Sequence, residues 1–94
     1  CYDGAVFDGR YVYFAPLEAK GVVLRHDTHG QFGDPASWTA RDCRRVAGLA
    51  TGQCVGAVFD GTYVYFVPYA HNVVLRCDTR GDFHRAGSWS AFAA

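Results

Sequence analysis

The chain states one pattern twice. Gly4-Ala-Val-Phe-Asp-Gly-Arg-Tyr-Val-Tyr-Phe-Ala-Pro16 returns as Gly56-Ala-Val-Phe-Asp-Gly-Thr-Tyr-Val-Tyr-Phe-Val-Pro68, and Val22-Val-Leu-Arg-His-Asp-Thr28 returns as Val73-Val-Leu-Arg-Cys-Asp-Thr79. Position against position, 11 of 13 residues agree in the first block and 10 of 17 between Val22–Trp38 and Val73–Trp89, the mark of a duplication. A period of about fifty residues made of strand-like pieces points to stacked or radial repeats. In such folds one unit cannot bury its own apolar faces and needs neighbours on both sides. Two units are too few for that, so the pattern already implies further copies.

Half of the 94 residues are apolar, enough to fold rather than to stay disordered. Lys and Arg number 9 and Asp and Glu also 9, which removes the electrostatic footprint of a nucleic-acid or anionic-membrane binder. No apolar run approaches the roughly 18 residues of a membrane span. Cys1, Cys43, Cys54 and Cys77 contain no Cys-x-x-Cys pair. Cys43 and Cys54 flank the segment between the repeats and would staple it in an oxidising, extracellular compartment; free buried thiols are the other reading. Cys77 stands where the first copy has His26, so that position does not require a thiol.

Each copy alternates with the period of strands, and turn residues sit where strands should end. Asp8-Gly9 and Asp60-Gly61 separate two strand-like runs and predict a tight hairpin, because glycine accepts a positive φ and aspartate tolerates it. Pro16 and Pro68 end the second strand, and a loop one residue shorter in the second copy leads to Val22–Asp27 or Val73–Asp78. Asp27-Thr28 with Gly30 makes the next turn, and Ser37-Trp38-Thr39-Ala40 reads as a shorter fourth strand. Arg41, Arg44 and Arg45 suggest a solvated connection between the copies, with Gly48-Leu-Ala-Thr-Gly52 as a loop. The units are thus 1-52, a first repeat with its connecting segment, and 53-94, the second.

Ala5, Phe7, Val12 and Phe14 should share one face of the hairpin and Val6, Tyr11 and Tyr13 the other, because facing residues of an antiparallel pair point the same way. Neither face suits water. An antiparallel sheet solvated on one side alternates apolar with polar, so a sheet greasy on both belongs between two others.

The glycine-led apolar strand, the Asp-Gly turn, the aromatic strand, then Val-Leu-Arg-x-Asp-Thr and a later Ser-Trp resemble the repeat of kelch-like β-propellers over Gly4–Ala40 and Gly56–Ala91. Ala15-Pro16 and Val67-Pro68 stand where that family closes its second strand with a glycine pair. The resemblance implies an all-β chain of two four-stranded antiparallel blades. Propellers hold about 4 to 8 blades, so a ring would be completed by self-association, with six blades from a trimer expected. That plan is similar to short oligomeric propeller lectins. A head-to-tail contact closes a ring or, if rotation does not close, an open filament.

Asp8, Asp27, Asp60 and Asp78 invite an acid/base reading, but each sits where aspartate binds its own turn backbone. His26, Asp27 and His29 invite a metal; the second copy offers Cys77, Asp78 and Arg80, so no metal and no cofactor is expected. His71 and His84 lie in loops and read as solvated. No phosphate loop or nucleophile motif is present, and an enzyme is not expected. What repeats is an aromatic and arginine set: Tyr11, Tyr13, Arg25 and Trp38, then Tyr63, Tyr65, Arg76 and Trp89. Such side chains stack on a sugar and bond its hydroxyls, or anchor an interface. The plainer reading makes them packing between sheets, with Arg25 paired to Asp27. The functional expectation is a self-assembling, multivalent binding module for carbohydrate. The alternative is a purely structural assembly, ring or filament, designed or part of a longer propeller, whose partner is itself.

Overall fold

A computed structural model describes residues 1–94. Four strands, β1 (Tyr2–Phe7), β2 (Tyr11–Pro16), β3 (Val22–Asp27) and β4 (Trp38–Asp42), form an antiparallel sheet in chain order. A small hairpin of β5 (Arg45–Val46) and β6 (Leu49–Ala50) leads to a second such sheet, β7 (Cys54–Phe59), β8 (Tyr63–Pro68), β9 (Val73–Asp78) and β10 (Trp89–Ala93).

Local chemistry explains the turns. The Asp8 carboxylate accepts from the backbone N–H of Arg10 (2.9 Å) and of Tyr11 (2.7 Å), and Gly9 takes φ 105°. The loop therefore holds three residues, closed by Asp8 N–H donating to the Tyr11 carbonyl at 3.0 Å. Asp60, Gly61 and Tyr63 repeat it, with N–H to carboxylate distances of 2.9 and 2.7 Å. The register Ala5↔Phe14, Val6↔Tyr13, Phe7↔Val12 gives the two faces expected from alternation.

Two expectations change. Ser37 belongs to a short 3-10 turn, Pro35–Ser37, in which the Asp34 carboxylate accepts from Ala36 N–H; the fourth strand starts at Trp38 and runs on through Arg41 to Asp42. The connection is not a plain solvated loop either. Ala47 (φ 53°) and Gly48 (φ 80°) make the two positive-φ positions that turn β5 into β6, while Cys43, Val46, Thr51 and Gly52 are buried beneath.

The sheets pack face to face. Tyr13, Ala15 and Val23 of the first meet Val64, Phe66, Leu75, Cys77, Phe83 and Trp89 of the second in one buried cluster. β1 and β7 lie side by side, and their glycines make this possible. A Cβ on Gly4 would sit 3.3 Å from the Gly56 Cα, and both residues occupy positive φ at a register shift in their strands.

Candidate functional site

The joint between the sheets is a set of interlocked aromatic and guanidinium groups. From the first sheet, the Arg25 guanidinium lies between the ring of Tyr11 (3.8 Å) and that of Phe83 (4.3 Å), with Tyr13 and Phe83 centroids 6.2 Å apart. From the second, Phe83 and Phe66 pack on Trp89 at 5.5 and 6.1 Å, and the Trp89 indole N–H donates to the Phe83 carbonyl at 2.9 Å. Arg41 closes the edge, 5.8 Å over Trp89, with a guanidinium N–H donating to the His84 carbonyl at 2.6 Å. Burial, joined by its bond to Asp8, raises the Tyr13 hydroxyl far above the ordinary phenol range; that hydroxyl donates to the Asp8 carboxylate at 2.8 Å.

Both outward faces repeat the halves of that joint. On the outer face of the first sheet, Phe32 and Phe14 pack on Trp38 at 5.5 and 5.9 Å, and the Trp38 indole N–H donates to the Phe32 carbonyl at 2.8 Å. On the outer face of the second, the Arg76 guanidinium lies 3.9 Å over Tyr63, and Tyr65 donates to Asp60 at 2.8 Å. The geometry is the same as in the joint, but the covering half is missing. Phe83 is 2 % exposed, and its counterpart Phe32 is 77 % exposed.

Of the eight repeated residues, Tyr13 and Trp89 are buried in the joint and Tyr11 and Arg25 are part of it. Trp38 lies on the outer face of the first sheet, Tyr63, Tyr65 and Arg76 on that of the second. Tyr65, Arg76, Ser90 and Phe92 line a shallow concavity of about 260 Å³ there. Arg25 is not paired with Asp27. Asp27 instead takes a two-pronged bond from Arg10 (2.8 and 3.0 Å), which reaches it from the β1–β2 loop. The second copy has Thr62 at that place, and Asp78 turns to Arg80 at 3.1 Å.

The four carboxylates act as turn clamps, each accepting backbone N–H groups. The Arg10 guanidinium beside Asp27 holds its carboxyl well below the usual carboxylate range, backbone donors lower Asp60, and Arg80 lowers Asp78. All four cysteines are free; Cys43, Cys54 and Cys77 are buried, which pushes their thiols up to about 12, 11 and 12. His26 stacks on Trp38 at 4.3 Å, and no three His, Cys, Asp or Glu side chains converge. His71 is not free in its loop: its Nε2 donates to the Gln53 carbonyl (2.8 Å) and its Nδ1 accepts from Val73 N–H (3.1 Å).

The largest concavity, about 520 Å³, opens at the end of the sheets where the connection meets the β2–β3 and β8–β9 loops, lined by Ala19, Arg44, Arg45, Gln53 and His71 among others. No sequence pattern marks it, because it joins the unrepeated connection to two loops, around Ala19 and His71, whose residues differ between the copies. Comparison with protein-family models, curated proteins and solved structures returns no match for the chain.

Proposed function

We propose that the chain is a self-assembling, non-catalytic repeat protein of the propeller type, whose sheets are completed by copies of itself and whose assembly presents repeated ligand sites. The observation that carries this is the pair of uncovered faces, each a preformed replica of one half of the chain's own buried joint. Preformed halves lose little freedom on association. Because the two faces are unlike, the contact is heterologous and runs head to tail. Three chains would give six kelch-like blades. A ring would set the Arg44–Arg45–Gln53 concavity at regular intervals around one end, where guanidinium and amide donors suit saccharide hydroxyls and weak sites gain from avidity.

A second reading, a structural assembly without a small ligand, is favoured by one fact. The aromatic and arginine set that best suits sugar stacking is used up by sheet packing, four residues in the existing joint and four on the faces that would form the next. Light scattering on a sizing column tests assembly: a sharp species of three chains supports it, and a stable monomer at tens of micromolar refutes it. A glycan array then separates the readings, since binding supports the module and blank arrays leave the structural role.

A further inference from the structure

The copies differ where the joint is tightest. In the joint between the sheets, buried Cys77 pairs with Trp89 across β9 and β10. On the outer face of the first sheet the same position is His26, stacked on Trp38 at 4.3 Å and edge-on to Phe32 at 5.8 Å, with Nδ1 3.4 Å from the Ser37 hydroxyl. Its β2 partner is Val12.

Resting on the head-to-tail reading, the repeat correspondence states what a second copy brings against His26. Arg76 takes the place of Arg25, Asp60 that of Asp8, and Phe92 that of Arg41. Within its own chain His26 is surrounded by uncharged Val12, Trp38, Phe32 and Ser37. The charged neighbours on its strand, Arg25 and Asp27, lie on the opposite face, where Arg25 stacks on Tyr11 and Asp27 is bound by Arg10; Asp34 in the loop over His26 accepts from Ala36 N–H, and Asp42 at the far end of the His26 face is held by Arg44 at 3.0 Å. The incoming Asp60 is likewise committed, to the N–H groups of Thr62 and Tyr63 and to the Tyr65 hydroxyl. Asp78, on the same incoming face, is bound by Arg80 at 3.1 Å. The one charge there without an ion-pair partner is therefore the Arg76 cation, whose Nε donates to the Ser90 hydroxyl at 3.2 Å, and the apolar Phe92 stands where Arg41 closes the existing joint.

We propose that the joint between copies closes on neutral His26 and opens in acid. His26 is already buried in the single chain, so what the joint adds against an imidazolium is a second cation held close to it away from water. Histidine changes charge between pH 5 and 8, and one proton excluded per joint weakens association about tenfold between pH 7.5 and 5.5.

Sedimentation velocity at both pH values, in reductant, tests this with the whole chain, His26→Cys, which installs the residue of the existing joint, and His26→Gln, which is neutral throughout. Tryptophan fluorescence checks that each stays folded. The expected result is a dissociation constant about tenfold higher at pH 5.5 for the unaltered chain and a flat profile for both variants. A flat profile for the unaltered chain, or a tenfold loss retained in either variant, overturns the acid gate while leaving self-association in place. No association of the unaltered chain at pH 7.5 overturns the head-to-tail reading and the gate with it.

Discussion

Replacing Phe83 by alanine, beside the same change at Phe32, separates what a repeated aromatic does inside the chain from what it does on its surface. Phe83 is 2 % exposed and touches Tyr13, Trp89 and the Arg25 guanidinium, the last at 4.3 Å. Its removal loses the transfer energy of a full phenyl ring and leaves a cavity between two sheets pinned by their own hydrogen bonds, so about 3–5 kcal/mol is expected. A domain of this size has about 5–15 kcal/mol in all, and Phe83→Ala should bring the chain close to unfolding. Phe32 occupies the matching place on its own sheet, with Trp38 at 5.5 Å and His26 at 5.8 Å, but is 77 % exposed. With most of that ring already in water, Phe32→Ala should cost less than about 1 kcal/mol in the dissociated chain. Urea unfolding followed by the fluorescence of Trp38 and Trp89, at chain concentrations low enough to keep copies apart, reads both. Equal losses of stability would refute the reasoning, because they would mean that the joint does not cover Phe83.

Asp8→Ala removes two backbone clamps and leaves the buried Tyr13 hydroxyl without its acceptor; a loss of roughly 1–3 kcal/mol in denaturant unfolding is expected, and a smaller one for Asp60→Ala, whose Tyr65 hydroxyl faces water. Asp27, Asp60 and Asp78 all titrate below the usual carboxylate range in the folded chain. Their stabilisation is therefore present above about pH 4 and lost as pH falls through the lower folded values, so the thermal midpoint of the dissociated chain, measured at concentrations that keep copies apart, should hold steady down to about pH 4 and drop below it. Iodoacetamide at pH 8 should label Cys1 alone in the native chain and all four cysteines in urea, as counted by intact mass, since burial raises the other three thiols. Gly52→Ala would place a Cβ 2.5 Å from the Ala19 carbonyl oxygen and should lower stability by about 1–3 kcal/mol, measured by the same unfolding assay.

The strands and hairpins were legible because their signals are local. Asp8 and Asp60 bind N–H groups two and three residues on, and alternation along Tyr11–Phe14 decides the face of each side chain once the register is fixed. The partner of Asp27 was not legible, since Arg10 lies 17 residues away and reaches it only after β2 and β3 have paired. The β5–β6 hairpin was hidden for a related reason: it is two residues per strand, and its turn relies on Ala47 at φ 53°, a residue that carries no turn signal. As for the aromatic set, composition could not divide it. Tyr13 and Tyr65 have the same neighbours in sequence, and only the stacking of one sheet on the other makes the first buried and the second open. The largest concavity was not legible because Arg44, Arg45 and Gln53 of the unrepeated connection meet Ala19 and His71 of two separate loops only once the sheets have packed.

In the proposed assembly the outer face of one sheet receives the outer face of the other from a second copy, as the inner faces receive each other. A photo-crosslinking phenylalanine analogue at position 32, irradiated in the associated protein and mapped by mass spectrometry, tests this directly. The Phe83 ring lies 6.2 Å from Tyr13 and 4.3 Å from Arg25, so adducts between chains are expected at Tyr65 and Arg76. Adducts between chains that fall elsewhere, or adducts confined within one chain, would contradict it.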